Sequence, residues 1–579
     1  MALISVPSLA AVLIPLVVLV TTMFGPGLLQ TSPMPYLSIA LTLGYLDRLG
    51  PWSRASIFPT LYLILAIGVG SGFAYAGMLQ MGDEWIASDM GPMFAIGIGA
   101  GVLQVLAFFT HLAWQHRFLP QERFQEGARA LLATLVGPAV WVALFTVVYA
   151  VSPIGSYGSI AYSQYQFEPL VQWASVSGIS GIEFLVVWAA VIIHRCWSRY
   201  ARNESHLIDE AKSWTALETP SSSSSQEQVP TFQHHSSSSR SSTRRLVRRI
   251  LFAPTPTFLL VFLFVFIYGS MRFWNATGTF FQKPLTSTMI PTVRTSCVIG
   301  NNDDSNMPLY LNQTHELAQT GSKIIIWSET ATTVNTIQER DALWATAKNI
   351  SQTYGIILGV TYAQALEDRW GWTRNMYTLF DEQGNVLFEY QKANPVAMVE
   401  TTVQAGPQVL PVADTKYGRL GDAICFDLDF PNFMAQGGHQ EVDILLQPSW
   451  TWGSIGRLEA MMQSFRAVEN GFTLFRCGSW APSTAYDPYR QLLGYKENLS
   501  EGTFTAEVPL RRHVKTIYSV IGNTWGYICC AFAILAVILV LLPQRKLEDL
   551  SAKVQGAVGR RSRCEDSEAT LPEHGDQAA

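Results

Sequence analysis

The sequence predicts an α+β membrane protein, a polytopic bundle of about eight transmembrane helices carrying one α/β sandwich domain. Three observations predict it. Only 14% of the 579 residues are charged and 49% are hydrophobic, where an ordinary soluble domain is about 25% charged. The apolar residues gather in long uncharged runs. One segment, 274–523, departs from those runs and alternates short β-rich stretches with helical ones. The net charge of −5 supplies no basic field for a polyanion, so nucleic acid is not an expected partner.

A bilayer span needs about 20 mainly apolar residues. The candidates are 6–24, 33–46, 58–79, 93–114, 131–151, 178–197, 257–271 and 525–542, the second and seventh being short. The first lacks a basic n-region and further spans follow, so it reads as a retained anchor rather than a signal peptide. Arginines crowd the loops after the second, fourth and sixth runs and the C-terminal tail, whereas the loop after the third is acidic and that after the fifth nearly uncharged. Positive-inside sorting then puts both termini in the cytoplasm and segment 274–523 on the other side. The expected organisation is helices one to six over 1–199, a disordered Ser-rich cytosolic loop over 200–250, and helix seven over 251–273. The sandwich domain follows over 274–523, then helix eight over 524–543 and a cytosolic tail over 544–579. The serine runs at 221–225 and 236–239 hold too few apolar residues to offset ordering entropy. The His234-His235 pair among them reads as solvated rather than metal-binding.

The exterior segment carries four Asn-x-Ser/Thr patterns, at Asn275, Asn312, Asn349 and Asn498, as glycoproteins of a secretory lumen or cell surface do. Of seven cysteines only Cys297, Cys425 and Cys477 fall in it, so at most one bridge forms there and one thiol is left over. Stretches 323–327, 354–362, 420–425 and 442–447 read as strands, and 376–380 with 386–390 as a hairpin around Asp381-Glu-Gln-Gly. Helices are expected over 336–348 and 458–470, the latter stopped by Gly471.

Three groups stand at strand ends. Ile324-Ile-Ile-Trp-Ser-Glu329 delivers one carboxylate, Tyr390-Gln-Lys392 a lysine with Glu400 eight residues on, and Gly421-Asp-Ala-Ile-Cys425-Phe426-Asp427 a cysteine. A thiol near pKa 8.5 needs a base to become a nucleophile. Glu329 can take and return that proton, and Lys392, with the backbone N–H after the cysteine, can stabilise a tetrahedral oxyanion. Glu400 is the candidate to orient Lys392. The set calls for no metal and no cofactor.

In the order Glu, Lys, Cys these residues resemble the carbon–nitrogen hydrolase (nitrilase) superfamily, and with the flanking spans its membrane branch, the apolipoprotein N-acyltransferases. Cys297-Val-Ile-Gly-Asn-Asn302, Cys425-Phe426-Asp427-Leu-Asp-Phe-Pro431, Ser449-Trp-Thr-Trp-Gly453 and Arg466-Ala-Val-Glu469 are similar to that family's opening strand, nucleophile strand, aromatic loop and helix motif. The chain departs from the pattern at Ser328, Asp427, Pro448-Ser449 and Leu458-Glu459. The resemblance implies an α-β-β-α sandwich and Glu329, Lys392 and Cys425 as the catalytic set, with Glu400, Phe426 and Asp427 supporting. It implies transfer of a fatty acyl group from a phospholipid donor, through a thioester on Cys425, to an amine-bearing protein or lipid, as in lipoprotein biosynthesis. Two alternatives use the same residues differently: a membrane-tethered amidase in which water attacks the thioester, and an inactive hydrolase-like domain on a transport or scaffold protein.

Overall fold

Runs of uncharged apolar residues have no means of satisfying their backbone in hydrocarbon except as helices, and helices are what they form. The structure, a computed structural model, describes residues 6–25, 31–50, 54–76, 91–119, 127–217, 253–277, 290–300, 306–397, 399–451, 453–497, 500–546 and 548. The bundle opens with α1 (Val6–Met23), α2 (Met34–Leu49), α3 (Ile57–Ala76), α4 (Gly91–Phe118) and α5 (Ala128–Val151). A non-helical loop containing the short α6 (Glu168–Val171) leads to α7 (Ala174–Leu217), and α8 (Pro254–Thr277) precedes the sandwich.

Helices are found at all eight expected places, and six are long and apolar enough to cross a membrane among the described residues: 57–75, 91–118, 128–151, 174–201, 254–274 and 524–541. The apolar part of α1 is shorter, Ala10–Met23. The 16 residues of α2 reach about 24 Å, less than the roughly 30 Å of hydrocarbon. One boundary differs from expectation. The chain from 200 to 217, placed in the disordered loop, continues α7 as helix. That stretch holds three Ala, two Glu and two Leu and neither Gly nor Pro, so propensity favours continuation. The serine runs lie outside the described residues. α7 is interrupted at Gly178, whose φ of 65° and ψ of −170° leave the helical region.

The sandwich has two sheets. The strands of the first are β1 (Thr292–Ile299), β2 (Ile324–Trp327), β3 (Thr333–Val334), β4 (Ile357–Ala365), β5 (Thr373–Phe380) and β6 (Val386–Gln391). Those of the second begin with β7 (Val412–Thr415), β8 (Gly418–Asp422), β9 (Ile444–Trp450) and β10 (Thr473–Ser479), and end with β11 (Ser483–Tyr486) and β12 (Leu492–Lys496), while β13 (Gly502–Pro509) returns to the first sheet. The orders are β13-β1-β2-β4-β5-β6, with β3 on β4, and β12-β11-β10-β9-β8-β7. β1, β2 and β4 run parallel in one sheet, as do β8, β9 and β10 in the other. Helices α9 (Met307–Gln319) and α10 (Ile337–Tyr354) connect the strands of the first sheet, and α11 (Pro431–His439), α12 (Gly453–Gln463) and α13 (Phe465–Asn470) those of the second. The short α14 (Ile517–Ile521) leads into the final span, α15 (Thr524–Leu541).

Strand alternation sorts the core. Cys297, Ile299, Ile324 and Ile326 join the layer between the sheets, while Val298, Ile325 and Trp327 face the other way onto Tyr310 of α9 and Leu343 and Ala347 of α10. Cys297 of β1 and Cys477 of β10 form a disulfide, so one covalent bond joins the two sheets and Cys425 keeps a free thiol. The architecture is a helical N-terminal bundle followed by an α-β-β-α nitrilase-like sandwich.

Candidate functional site

The candidate residues converge at the carboxyl ends of strands. Glu329 stands two residues beyond β2, Lys392 directly after β6, and Cys425 three residues beyond β8. All three are at most 2% exposed. Lys392 Nζ lies 2.8 Å from Glu329 Oε1 and 2.7 Å from Glu400 Oε2, so the three form one buried ion-pair cluster. Glu329 Oε1 also accepts from Asn375 Nδ2 of β5 at 2.8 Å, and its Oε2 accepts the Trp450 N–H at 2.7 Å. Glu400 Oε2 accepts the Val396 N–H at 2.5 Å, closing the loop on which it sits.

The backbone of the same residue, Trp450, links the carboxylate to the sulfur. Its carbonyl lies 3.6 Å from Cys425 Sγ, and the Thr451 hydroxyl is 3.9 Å from that sulfur. Cys425 was expected to end a strand. Instead the ladder stops at Asp422, and Cys425 opens a 3₁₀ turn, Cys425–Asp429, with φ at +48°. The left-handed region is costly for a residue with a Cβ, and the surroundings impose it. Asp427 Oδ2 accepts the Ile424 N–H at 3.0 Å and the Tyr390 hydroxyl at 2.7 Å, while its Oδ1 accepts Asn394 N and Nδ2 at 2.8 and 2.9 Å. The Cys425 carbonyl accepts from Gln447 and Gln463 amides, each at 3.2 Å. Asp427 is therefore the bracket of the turn, and Phe426, buried edge-on against Phe430 with centroids 5.5 Å apart, packs it.

Electrostatics follow from that burial. Desolvation, and then the neighbouring Glu329, push the Cys425 thiol well above its ordinary range, with Lys392 pulling the other way. Desolvation disfavours the Lys392 ammonium, but Glu329 and Glu400 outweigh it and hold the amine charged. Burial raises Asp427 to about 6 against its hydrogen bonds from Tyr390 and Asn394.

Sequence reasoning missed Asn375, Gln447, Gln463 and Arg476, and it held Trp450 and Thr451 only as members of the aromatic-loop motif. Gln447 and Arg476 sit inside buried strands and Asn375 in a strand whose interior is buried, and a polar side chain within such a strand was the available signal. Glu459 was visible only as a departure from the family pattern.

The turn is also fastened to the bundle. Ser156, in the loop between α5 and α7, donates from its N and its Oγ to the Asp429 carbonyl at 2.7 and 2.8 Å. Arg466 donates to the Leu428 carbonyl at 2.9 Å, to Ser156 Oγ at 3.1 Å and to the Tyr162 hydroxyl at 2.5 Å, and it pairs with Glu469. Glu469 Oε1 in turn accepts the Ile179 N–H at 2.9 Å, an amide exposed by the break at Gly178. Glu183 of α7 is buried in the bundle and accepts from Tyr149 and Ser159.

The carbon-nitrogen hydrolase family model matches residues 298–518. The apolipoprotein N-acyltransferase of Rickettsia typhi is 23% identical over 390 residues, 63% of this chain and 68% of that protein. That of Rickettsia prowazekii is 27% identical over 255 residues, 40% of this chain, and the match spans half of the relative's length. An amidase from Nesterenkonia sp. superposes with a TM-score of 0.35 at 19% identity, covering 42% of this chain and all of the other. Residues 298–518 are thus a carbon-nitrogen hydrolase domain, in a membrane protein that resembles the apolipoprotein N-acyltransferases.

Proposed function

We propose that the protein is a membrane N-acyltransferase in which Cys425 carries a fatty acyl group, as a thioester, from a phospholipid to an amine. In this reading Glu329 removes the thiol proton as the sulfur attacks the donor ester, and returns it to the departing alcohol oxygen. The amine then attacks the thioester, Glu329 takes its proton, and the sulfur leaves and is reprotonated. Lys392 gives two of its three N–H bonds to Glu329 and Glu400. With no third acceptor among the described residues, the remaining hydrogen is available to the oxyanion of each tetrahedral intermediate. Glu400 keeps Lys392 in place, and Asp427 and Phe426 keep the cysteine turn in its left-handed conformation.

The observation that carries the reading is the double hydrogen bond from Ser156 to the Asp429 carbonyl, which ties the cysteine turn to the loop between two membrane helices. A soluble amidase has no use for that attachment; an enzyme whose donor keeps its chain in hydrocarbon does. The named activity of the Rickettsia relatives supports it. The charge alternation of the loops, and a disulfide of the kind oxidising compartments maintain, support a non-cytoplasmic domain in an endomembrane lumen or at the cell exterior. Trp370, 99% exposed at the β4–β5 turn, is a suitable contact for lipid or acceptor.

The test is intact-protein mass spectrometry of the full chain in phospholipid nanodiscs. A fatty acyl adduct on Cys425 that hydroxylamine removes, and that an amine-terminated lipopeptide discharges as an amide, is the expected result. Discharge as free fatty acid alone would establish the amidase alternative, and absence of any adduct, with Cys425→Ala indistinguishable from the unmodified protein, would overturn both.

A further inference from the structure

Beside the sulfur lies a second carboxylate that the proposed chemistry leaves idle. Glu459 of α12 is 5% exposed, and its Oε2 lies 3.1 Å from Thr451 Oγ1. That same hydroxyl is 3.9 Å from Cys425 Sγ, within the longer reach of a sulfur hydrogen bond. Arg476 Nη2 donates to Thr451 Oγ1 at 3.0 Å and stands 3.7 Å from Glu459 Oε2. An arginine only donates, so Thr451 must accept from it and direct its own hydrogen to Glu459 or to Ser449 Oγ, 3.1 Å away. The remaining lone pair of the threonine oxygen can receive the thiol hydrogen when that hydrogen turns from the Trp450 carbonyl, 3.6 Å from the sulfur, to Thr451.

We infer that Glu459, acting through the Thr451 hydroxyl, is a second acid–base partner of Cys425 and positions its proton. The inference rests on the reading of Cys425 as the nucleophile. The S–H bond breaks as a new O–H bond forms on Thr451, whose own hydrogen passes to Glu459 Oε2. The result is a thiolate, an intact threonine hydroxyl and a neutral carboxylic acid, and the reverse transfer restores the thiol. Glu459 and Thr451 are positioning residues, since neither touches the acyl group. The charged and titratable groups facing the thiol are Glu329, Lys392, Glu459 and Arg476. Those facing Glu459 are Arg476, Lys392, Glu329, the buried Asp429 and Tyr157 of the loop between α5 and α7. Burial favours the neutral form of Glu459, the direction a proton acceptor at this place requires.

A fixed negative charge and a proton relay act on the thiol in opposite directions, and that makes the inference testable. The rate of Cys425 alkylation by iodoacetamide, read by peptide mass from pH 6 to pH 10 on the full chain in detergent, reports the thiolate. The relay predicts that Glu459→Gln and Thr451→Val each slow alkylation about tenfold near neutral pH, and that Thr451→Ser recovers most of the rate. Thr451→Val leaves the Glu459–Arg476 pair in place and so serves if Glu459→Gln fails to fold. A faster reaction in Glu459→Gln would show a mere charge effect, and unchanged rates in both variants, or a Thr451→Ser as slow as the valine, would equally overturn the relay while leaving acyl transfer intact. A Cys425 inert to the reagent in the unmodified protein at every pH would overturn the relay and the nucleophile reading together.

Discussion

Cys425 combines a left-handed backbone, nearly complete burial and a carboxylate neighbour, and each of these bears on its proton. Desolvation and Glu329 both favour the neutral thiol, and Lys392 only partly offsets them. A resting thiol suits a group that must lose its proton only when an ester is in place. It also carries a signature in stability. The folded state holds this proton more tightly than the unfolded chain does, so the contribution is fully present below the ordinary thiol value of about 8.5 and is lost as pH rises beyond it. The apparent melting temperature should therefore fall between pH 8 and pH 10, and Cys425→Ala should show a shallower decline over that window. Tyrosines and lysines titrate there too, so the difference between the two curves is the quantity that counts, and curves that run parallel would contradict the assignment. Little of this was readable beforehand. Glu329, Lys392 and Cys425 stood out because each follows an apolar strand; Asn375 was marked only by being polar inside a strand with a buried interior, and nothing local beyond the aromatic-loop motif marked Thr451.

The loop between α5 and α7 is one of the elements through which bundle and sandwich meet. Gly155, with φ at +54°, brings its Cα so close to the cysteine turn that an added Cβ would stand 2.3 Å from the Asp429 carbonyl oxygen. Gly155→Ala must therefore shift either the loop or the turn, and left-handed strain of about 1–3 kcal/mol comes with it. The expected result is at least a tenfold loss of acyl-adduct formation on Cys425 with helical content unchanged by circular dichroism. Full adduct formation in that variant would show that the loop is a spacer and nothing more. At this scale the sequence was legible wherever one face decided the matter. Helix α10 begins on a Thr336 cap that accepts the Glu339 N–H, as its 336 start implied, and the β5–β6 hairpin lies around Asp381–Gly384 as expected. The helix expected over 458–470 is divided into α12 and α13 at Ser464 but does end at Gly471, whose φ is 74°. Strand β8 ended early because Asp427 takes the Ile424 amide for the turn, a long-range consequence of Tyr390 of β6 and Asn394 of the loop after it fixing that carboxylate. Periodicity cannot reveal such a competition. It cannot reveal a loop that reaches across to another domain either.

For the molecule as a whole, the disulfide decides how the two sheets stay together around a site built from both. Glu329 and Lys392 follow strands of the first sheet, while Cys425 follows a strand of the second and Trp450 ends another. Any slip between the sheets would separate the carboxylate from the sulfur. Cys297 and Cys477 join β1 to β10 across a sequence separation of 180 residues. A loop of that length gives a chain-entropy stabilisation of about 5 kcal/mol as an upper figure. Both cysteines are fully buried between the sheets, so a reductant acts only after local opening. The prediction is that dithiothreitol lowers the thermal transition of the unmodified protein by several degrees and slows the Cys425 reaction with iodoacetamide in parallel. Cys297→Ala/Cys477→Ala should already sit at the lowered value and show no further response to the reductant. Detergent-solubilised membrane proteins commonly unfold irreversibly, so the comparison is made at one scan rate. If the double variant melts with the oxidised protein, the bond is dispensable and the two sheets are held by their buried side chains alone. If it melts low yet alkylates at the full rate, the staple serves stability and not the geometry between Glu329 and Cys425.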